Sequence, residues 1–334
     1  MTAGRGAGAP VLVTGGTGVI GGALVRALLA EGAQVRVLTR SVARAAGRVP
    51  PGVELVEGDG ADPATAPRAV KGVGRVLHLA GPFRESNIPD RRYWAVQRDG
   101  TRYMLEAAHA EGVERFVHTS TVGVLGHIAN PPADESSPYN PGDPYQESKA
   151  AGERLALEFA ERHDFPLTVI RPASVYGPGD TRFLKLFRAI ARGWFVMLGS
   201  GEPRLHLVYL DDLVRGYLLL ASHPGTIGEV TIVGGPESRP LNELTAMIAD
   251  VLGVRRPRFR APAWPVQLAG SVCERICVPL GITPPIYRRR VDFFTKSRDF
   301  RIDKARGFGF EPAVGLREGI ERTAAWYRAE GLLA

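Results

Sequence analysis

Tyr145 and Lys149 stand four residues apart in Tyr145-Gln-Glu-Ser-Lys149, a spacing that puts both on one face of a helix. A phenol titrates at about 10, so at neutral pH it neither gives nor takes protons readily unless its surroundings shift it. A nearby ammonium stabilises the phenolate and brings that value down. Tyr145 can then pass a proton to or from a substrate oxygen while bonds change at the adjoining carbon. Thr119-Ser120-Thr121, at the end of an apolar run, offers hydroxyls for the same oxygen, with Thr121 and Ser120 both candidates. A Tyr–Lys pair at this spacing is commonly structural. It acquires chemical meaning from a second site that can hold a redox partner.

Such a site is written near the N-terminus. Thr14-Gly15-Gly16-Thr17-Gly18-Val19-Ile20-Gly21 follows the apolar run Val11-Leu12-Val13 and opens an apolar-periodic run that ends near Glu31-Gly32. The order is strand, glycine turn, helix. Gly15 lets the chain turn off the strand, Gly18 removes a Cβ where a phosphate comes close, and Gly21 lets the helix lie against the sheet. The helix start, with Val19 and Ile20, offers unpaired N–H groups and the positive end of its dipole to a pyrophosphate.

The residue ending the second strand selects the nucleotide: an acid for a ribose 2′-OH, an Arg for a 2′-phosphate. Here it is Thr39-Arg40, with Arg44 close behind, which favours NADP over NAD. Asp59, in Gly58-Asp59-Gly60, either meets the adenine amino group or serves as a turn or cap residue. Leu79-Ala80-Gly81 ends the next strand with small residues that admit a cofactor to the backbone. Arg171-Pro172-Ala-Ser174-Val175-Tyr-Gly-Pro-Gly-Asp180 is rich in turn formers, predicts neither helix nor strand, and falls where a nicotinamide would lie.

Placing these residues requires a sheet. After the first strand, apolar runs at 34–39, 53–57, 75–79, 114–118 and 167–170 read as strands, and His118 inside one of them reads as packed. Strands alternating with helices predict an α/β, doubly wound parallel sheet with right-handed crossovers. A long helix spans 90–110, broken near Gly100, and another starts near Asp143. Beyond 180 the alternation loosens, with helices at 183–192, 211–221 and 241–252, strands at 205–208 and 230–233, and a Pro-, Arg- and aromatic-rich segment at 257–301.

The chain has 334 residues, 44% hydrophobic and 23% charged, with a net charge of +7. Arg and Lys are scattered apart from Arg255-Arg256 and Arg288-Arg289-Arg290. No motif that reads DNA or RNA is present, so nucleic acid is not expected as a partner. An anionic cofactor or substrate accounts for part of the positive balance. The two cysteines, Cys273 and Cys277, lack the nearby His or second pair that a metal site needs, so no metal is expected. So few cysteines suit a reducing cytoplasm. No run of about 18 apolar residues occurs, so no membrane span is expected.

With Tyr209-Leu-Asp-Asp212 and Asp303-Lys-Ala-Arg…Gly309-Phe-Glu-Pro312…Gly319…Trp326-Tyr327, these motifs resemble an extended short-chain dehydrogenase/reductase of the NAD-dependent epimerase/dehydratase family over nearly the whole chain. The nearest branch is that of 3β-hydroxysteroid dehydrogenases and dihydroflavonol reductases. The resemblance implies a Rossmann domain for NAD(P) over 1–175, with later returns at about 205–235, and a smaller C-terminal α/β substrate lobe over 176–334. It implies Tyr145 as acid/base, Lys149 as electrostatic partner and ribose ligand, Thr121 as the hydroxyl donor with Ser120 as fallback, and a homodimer built from the two long helices. Two departures stand out. Gln97 replaces the usual Asn before Gly100-Thr101, and His206-Leu-Val-Tyr-Leu-Asp-Asp212 lacks the Arg common in nucleotide-sugar epimerases.

The expectation is therefore reduction of a ketone or oxidation of a secondary alcohol. Apolar residues Trp264, Val266, Leu268, Ile276, Val278, Leu280 and Ile282 would wall a hydrophobic substrate. The alternative is a nucleotide-sugar 4-epimerase or dehydratase with tightly bound NAD, in which Arg204, Arg288 and Arg289 clamp a diphosphate.

Overall fold

The computed structural model describes residues 8–82, 88–277 and 288–333. In chain order the strands are β1 Val11–Thr14, β2 Val35–Thr39, β3 Glu54–Glu57, β4 Arg75–His78, β5 Arg115–Thr119, β6 Leu167–Pro172, β7 Ser174–Tyr176, β8 Met197–Leu198, β9 Arg204–Tyr209, β10 Val230–Val233, β11 Ser238–Pro240 and β12 Arg260–Ala261. Seven of them form one sheet in the order β10-β6-β5-β4-β1-β2-β3. Every pairing in it is parallel. β1, β5 and β6 are buried along their whole length, as strands covered on both faces must be.

One face is covered by the helices Val19–Ala30 and Leu210–Ser222, whose Leu24, Leu28, Leu213 and Tyr217 pack on Val13, Val37 and Val117. The other is covered by Gly100–Glu111 and Pro144–His163, where Leu105, Ala108 and Ala156 meet Phe116, Leu167 and Val169. Strand order reverses between β1 and β4. The carboxyl ends of these two strands therefore diverge and leave the crevice where open α/β sheets take ligands.

One expectation needs correction. The segment 171–180 is not free of regular structure. β6 runs on through Arg171 and Pro172 because β10 supplies a partner, Ile232 beside Arg171 and Val233 beside Pro172. Ser174–Tyr176 then pairs with β9. The break in the long helix lies directly before Gly100, where it was expected. Asp90–Trp94 is α-helical, Ala95–Asp99 is a π-helical turn, and α-helix resumes at Gly100.

A second core, with Phe187, Leu207, Leu244, Ile320 and Tyr327, lies among the later elements. They include a three-stranded sheet, β11-β9-β7, and a two-stranded one, β12-β8.

Candidate active site

The glycine turn is shaped by backbone contacts. Gly15 has φ +73°, and a Cβ there would sit 3.1 Å from the Leu79 carbonyl carbon. The Gly18 N–H donates to the Gly15 carbonyl at 3.0 Å. A Cβ on Gly21 would lie 2.2 Å from that same Gly15 oxygen, so the close partner of Gly21 is the turn itself rather than the sheet. Gly18 is exposed and caps the Val19–Ala30 helix with extended backbone; no side chain caps this end and no acid stands in its first turn. Thr17, Val19 and Ile20 are half-buried beside it. The helix start thus offers N–H groups with no acid in its own first turn, which fits a pyrophosphate.

The other cofactor candidates lie at the carboxyl ends of neighbouring strands. Arg40 is exposed directly after β2. Asp59, after β3, accepts from Ala61 N–H at 2.9 Å and from the Arg92 guanidinium at 2.7 and 2.9 Å. Burial alone would raise its pKa, but the Ala61 N–H, Arg92 and Arg40 outweigh burial and hold the carboxyl below its ordinary value. Arg92 escaped sequence reasoning, and it places a cation over Asp59 and Gly60.

After β4, the Leu79 and Ala80 N–H groups both donate to the Thr14 hydroxyl at 3.0 Å, which ties β1 to β4 at the switch point. Gly81 lies against Gln97, whose amide donates to the Pro82 carbonyl at 2.8 Å. Pro172, Ser174 and Val175 follow at the end of β6 and in β7, with Pro172 and Val175 buried and Ser174 half-buried.

The candidate catalytic residues lie on the next elements. Asp143 caps the Pro144–His163 helix by accepting from Gln146 N–H at 2.9 Å, and Pro144 occupies its first turn. This fixes where Tyr145 and Lys149 project. Both are buried, at 7% and 6% exposure. Tyr145 packs edge-on against Tyr93, 6.2 Å between ring centres. Lys149 donates to the Thr119 carbonyl at 2.8 Å. Burial lowers its pKa to about 8, against an opposing pull from Glu153.

The two hydroxyls after β5 behave differently. Ser120 is buried and donates to the Glu153 carboxylate. Thr121 is half-buried and caps a short turn by accepting from Gly123 N–H at 3.1 Å, which leaves its own proton to give.

Glu153 is a second residue that sequence reasoning missed. It is fully buried and also accepts from Tyr139 at 2.7 Å and from Arg171, Nη2 at 2.6 Å and Nε at 3.1 Å. A signal existed, because Tyr145, Lys149 and Glu153 repeat every fourth residue along one helical face. The π-turn packs beside this helix: a Cβ on Gly152 would lie 2.1 Å from the Gln97 carbonyl, and one on Gly100 would lie 2.4 Å from the Gly60 carbonyl. The Ser148 hydroxyl donates to the Gln97 side chain at 2.8 Å.

His118 and His78 lie beneath, stacked at 5.9 Å and fully buried. Neither reaches the crevice as a base, since burial and Lys149 push both well down, His78 to about 3. Among the described residues no group of three or more His, Cys, Asp or Glu stands where it could hold a metal ion.

The model of the NAD-dependent epimerase/dehydratase family matches residues 11–234. The chain belongs to this family. It is similar to a 3β-hydroxysteroid dehydrogenase/Δ5→4-isomerase of Mycobacterium tuberculosis, 30% identical over 95% of this chain and 90% of that one. A 2-alkyl-3-oxoalkanoate reductase of Stenotrophomonas maltophilia is 29% identical over 94% and 98%. The structure of MoeE5 in complex with UDP-glucose and NAD superposes with a TM-score of 0.74 at 28% identity, covering 96% of this chain and 99% of that one. This family member is accordingly an NAD(P)-dependent enzyme of the extended short-chain dehydrogenase/reductase type.

Two expectations concern residues outside the seven-stranded sheet. Arg204, a candidate diphosphate clamp, is engaged by Asp299 at 3.1 Å and by the Ser238 hydroxyl at 3.0 Å. Trp264 and Leu268 are exposed and Val266 is half-buried. Val278, Leu280 and Ile282, and the side chains of Ile276, Arg288 and Arg289, lie outside the described residues.

Proposed function

We propose that this enzyme reduces a ketone, or oxidises a secondary alcohol, of largely apolar character. The observation that carries this reading is the pairing of Tyr145 and Lys149 on one buried helical face, held to the end of β5 by the Lys149 bond to the Thr119 carbonyl, with Thr121 on the turn that follows and no donated bond from its hydroxyl among the described residues. In the reductive direction the Tyr145 phenol gives its proton to the carbonyl oxygen. Thr121 donates a hydrogen bond to the same oxygen and so favours the charge that grows on it. The Lys149 ammonium, held by the Thr119 carbonyl, stabilises the phenolate that remains. A nicotinamide dinucleotide bound along the strand ends supplies or accepts the hydride.

Its pyrophosphate is assigned to Gly15, Thr17, Gly18, Val19 and Ile20, its adenine end to Asp59 and Gly60, its middle to Leu79, Ala80 and Gly81. Lys149 also binds the ribose, and Pro172, Ser174 and Val175 flank the nicotinamide. Arg40 supports NADP as the preferred form, since the end of β2 carries a cation and no acid. The lobe over 176–334 would hold the substrate. The relatives named as a hydroxysteroid dehydrogenase and an oxoalkanoate reductase support the apolar ketone or alcohol. A homodimer through the helices at 90–111 and 144–163, in the cytoplasm, completes the reading.

The second reading is a nucleotide-sugar epimerase or dehydratase that keeps NAD bound through turnover. It is favoured by the likeness to MoeE5, seen with UDP-glucose and NAD. Against it, Arg204 is already paired with Asp299. The deciding experiment incubates the purified enzyme with hydrophobic ketones and NADPH or NADH, and in parallel with UDP- and dTDP-sugars. Nicotinamide absorbance and product identity are followed together. Net NADPH oxidation with a ketone supports the first reading; sugar conversion without net change in the nicotinamide establishes the second.

A further inference from the structure

Nine large hydrophobic residues are exposed among the described residues, and six of them gather on one part of the later chain. Trp264, Leu268 and Val272 repeat every fourth residue on the helix Trp264–Cys277 and so form one outward stripe. Gly270 on the same helix is buried, and Gln267 reaches Thr295 at 3.5 Å, so these two mark the inward side. Phe259 and Val196 sit just before the paired strands β12 and β8, where the Met197 N–H donates to the Phe259 carbonyl at 3.0 Å. Trp194 follows two residues before Val196. Exposure reaches 74% for Trp194, 71% for Phe259, 67% for Trp264 and 59% for Leu268. An amphipathic helix of a water-exposed lobe turns such residues inward, and this one turns them out.

The charge around the stripe is predominantly positive. Between 253 and 277 stand five arginines, Arg255, Arg256, Arg258, Arg260 and Arg275, against one acid, Glu274. All five arginines are exposed. Arg192 joins them, its guanidinium 5.5 Å from the Trp194 ring centre. Asp250 pairs with Arg256 at 2.7 Å. No carboxylate among the described residues forms an ion pair with Arg192, Arg255, Arg258 or Arg260. Tryptophan and phenylalanine bracketed by unpaired arginines match a surface that is anionic on the outside and apolar just beneath. That is the headgroup layer of a bilayer containing anionic lipid.

We propose that the face made by the Trp264–Cys277 helix and the β8–β12 edge docks this enzyme on anionic membranes. The aromatic side chains enter the headgroup layer and the arginines meet lipid phosphates. No helix among the described residues is long and apolar enough to cross a membrane, so attachment is peripheral. The inference is independent of the reaction proposed above, because binding to lipid needs neither cofactor nor substrate.

The test is co-sedimentation of the full chain with vesicles of phosphatidylcholine alone and of phosphatidylcholine with phosphatidylglycerol. Binding is expected only to the second, and it should weaken several-fold as salt rises from about 0.05 to 0.5 M. The variant Phe259→Ser/Trp264→Ser/Leu268→Ser should lose about tenfold or more of the partitioning with its melting temperature kept. In the wild type, brominated lipids should quench tryptophan emission, a readout that needs no variant.

Absence of binding to anionic vesicles overturns the proposal, as does binding that the triple variant retains. Self-association without lipid that the triple variant abolishes, with no vesicle binding, makes the face a contact between copies and overturns it too. A raised KM in the variant, again with no vesicle binding, makes the stripe part of the substrate site and has the same effect.

Discussion

The Ser120 hydroxyl donates to the Glu153 carboxylate, and this bond divides the labour between two adjacent hydroxyls. Ser120 is spent on the buried cluster of Glu153, Arg171 and Tyr139, while Thr121 keeps a proton for a ligand. Thr121→Ala is therefore expected to lower kcat by about 10²–10³, the cost of removing one donor to a developing oxyanion. Ser120→Ala should keep most activity and lose about 1–3 kcal/mol of stability, because a buried carboxylate oxygen forfeits a donor. Steady-state kinetics and thermal melts on both variants check this. The reverse pattern would make Ser120 the catalytic hydroxyl.

Tyr145→Phe removes the proton and leaves the ring against Tyr93. Turnover should fall by about 10²–10⁴ while dinucleotide affinity changes little. Cofactor titration beside kcat measurement separates the two. Wild-type turnover in this variant would show that another group carries the proton.

Arg40→Ala should weaken NADPH by roughly tenfold or more and leave NADH nearly unchanged, since only the former brings a 2′-phosphate to the end of β2. Equal losses for both dinucleotides would remove the argument for NADP. Paired fluorescence titrations give the answer directly.

Acid should destabilise this protein through its two stacked imidazoles. Burial and the Lys149 charge hold His78 at about 3 and His118 well below the ordinary value of 6.5. Between those values and 6.5 the unfolded chain binds more protons, so stability is complete above about 6.5 and is lost as pH falls. Burying neutral His78 should cost about 2 kcal/mol at pH 5 relative to pH 8, and His118 adds a loss in the same direction. His118 has no hydrogen-bond partner for either ring nitrogen among the described residues, so His118→Phe removes the penalty without breaking a bond. Urea unfolding at the two pH values should show the variant losing less stability on acidification than the wild type. An equal loss in both would mean that His118 titrates alike in the folded and unfolded chain.

The sheet was legible because its strands are short buried runs separated by turn and helix signals, and all seven appear within a residue or two of their expected ends. The start of the Tyr145 helix was legible because Asp143 and Pro144 are cap residues whose effect is local. What escaped depends on partners distant in sequence. The stretch after Ile170 looks irregular by its prolines and glycines, yet β9 and β10 pair with it from later in the chain. Arg92 meets Asp59 across 33 residues, a contact no local pattern encodes. The π-turn before Gly100 adds one residue to a helical turn, a change that the apolar periodicity does not register.

Gly60, Gly100, Gln97 and Gly152 touch backbone to backbone, with no side chain to act as a cushion. The Asp59–Gly60 loop and the helix that carries Tyr145 are therefore braced through a single rigid strut. A shift at one end of the crevice must be felt at the other. On the proposed placement of the dinucleotide over Asp59, how snugly it seats sets the aim of Tyr145, and a methyl group added at Gly152 would spoil that aim without touching either ligand.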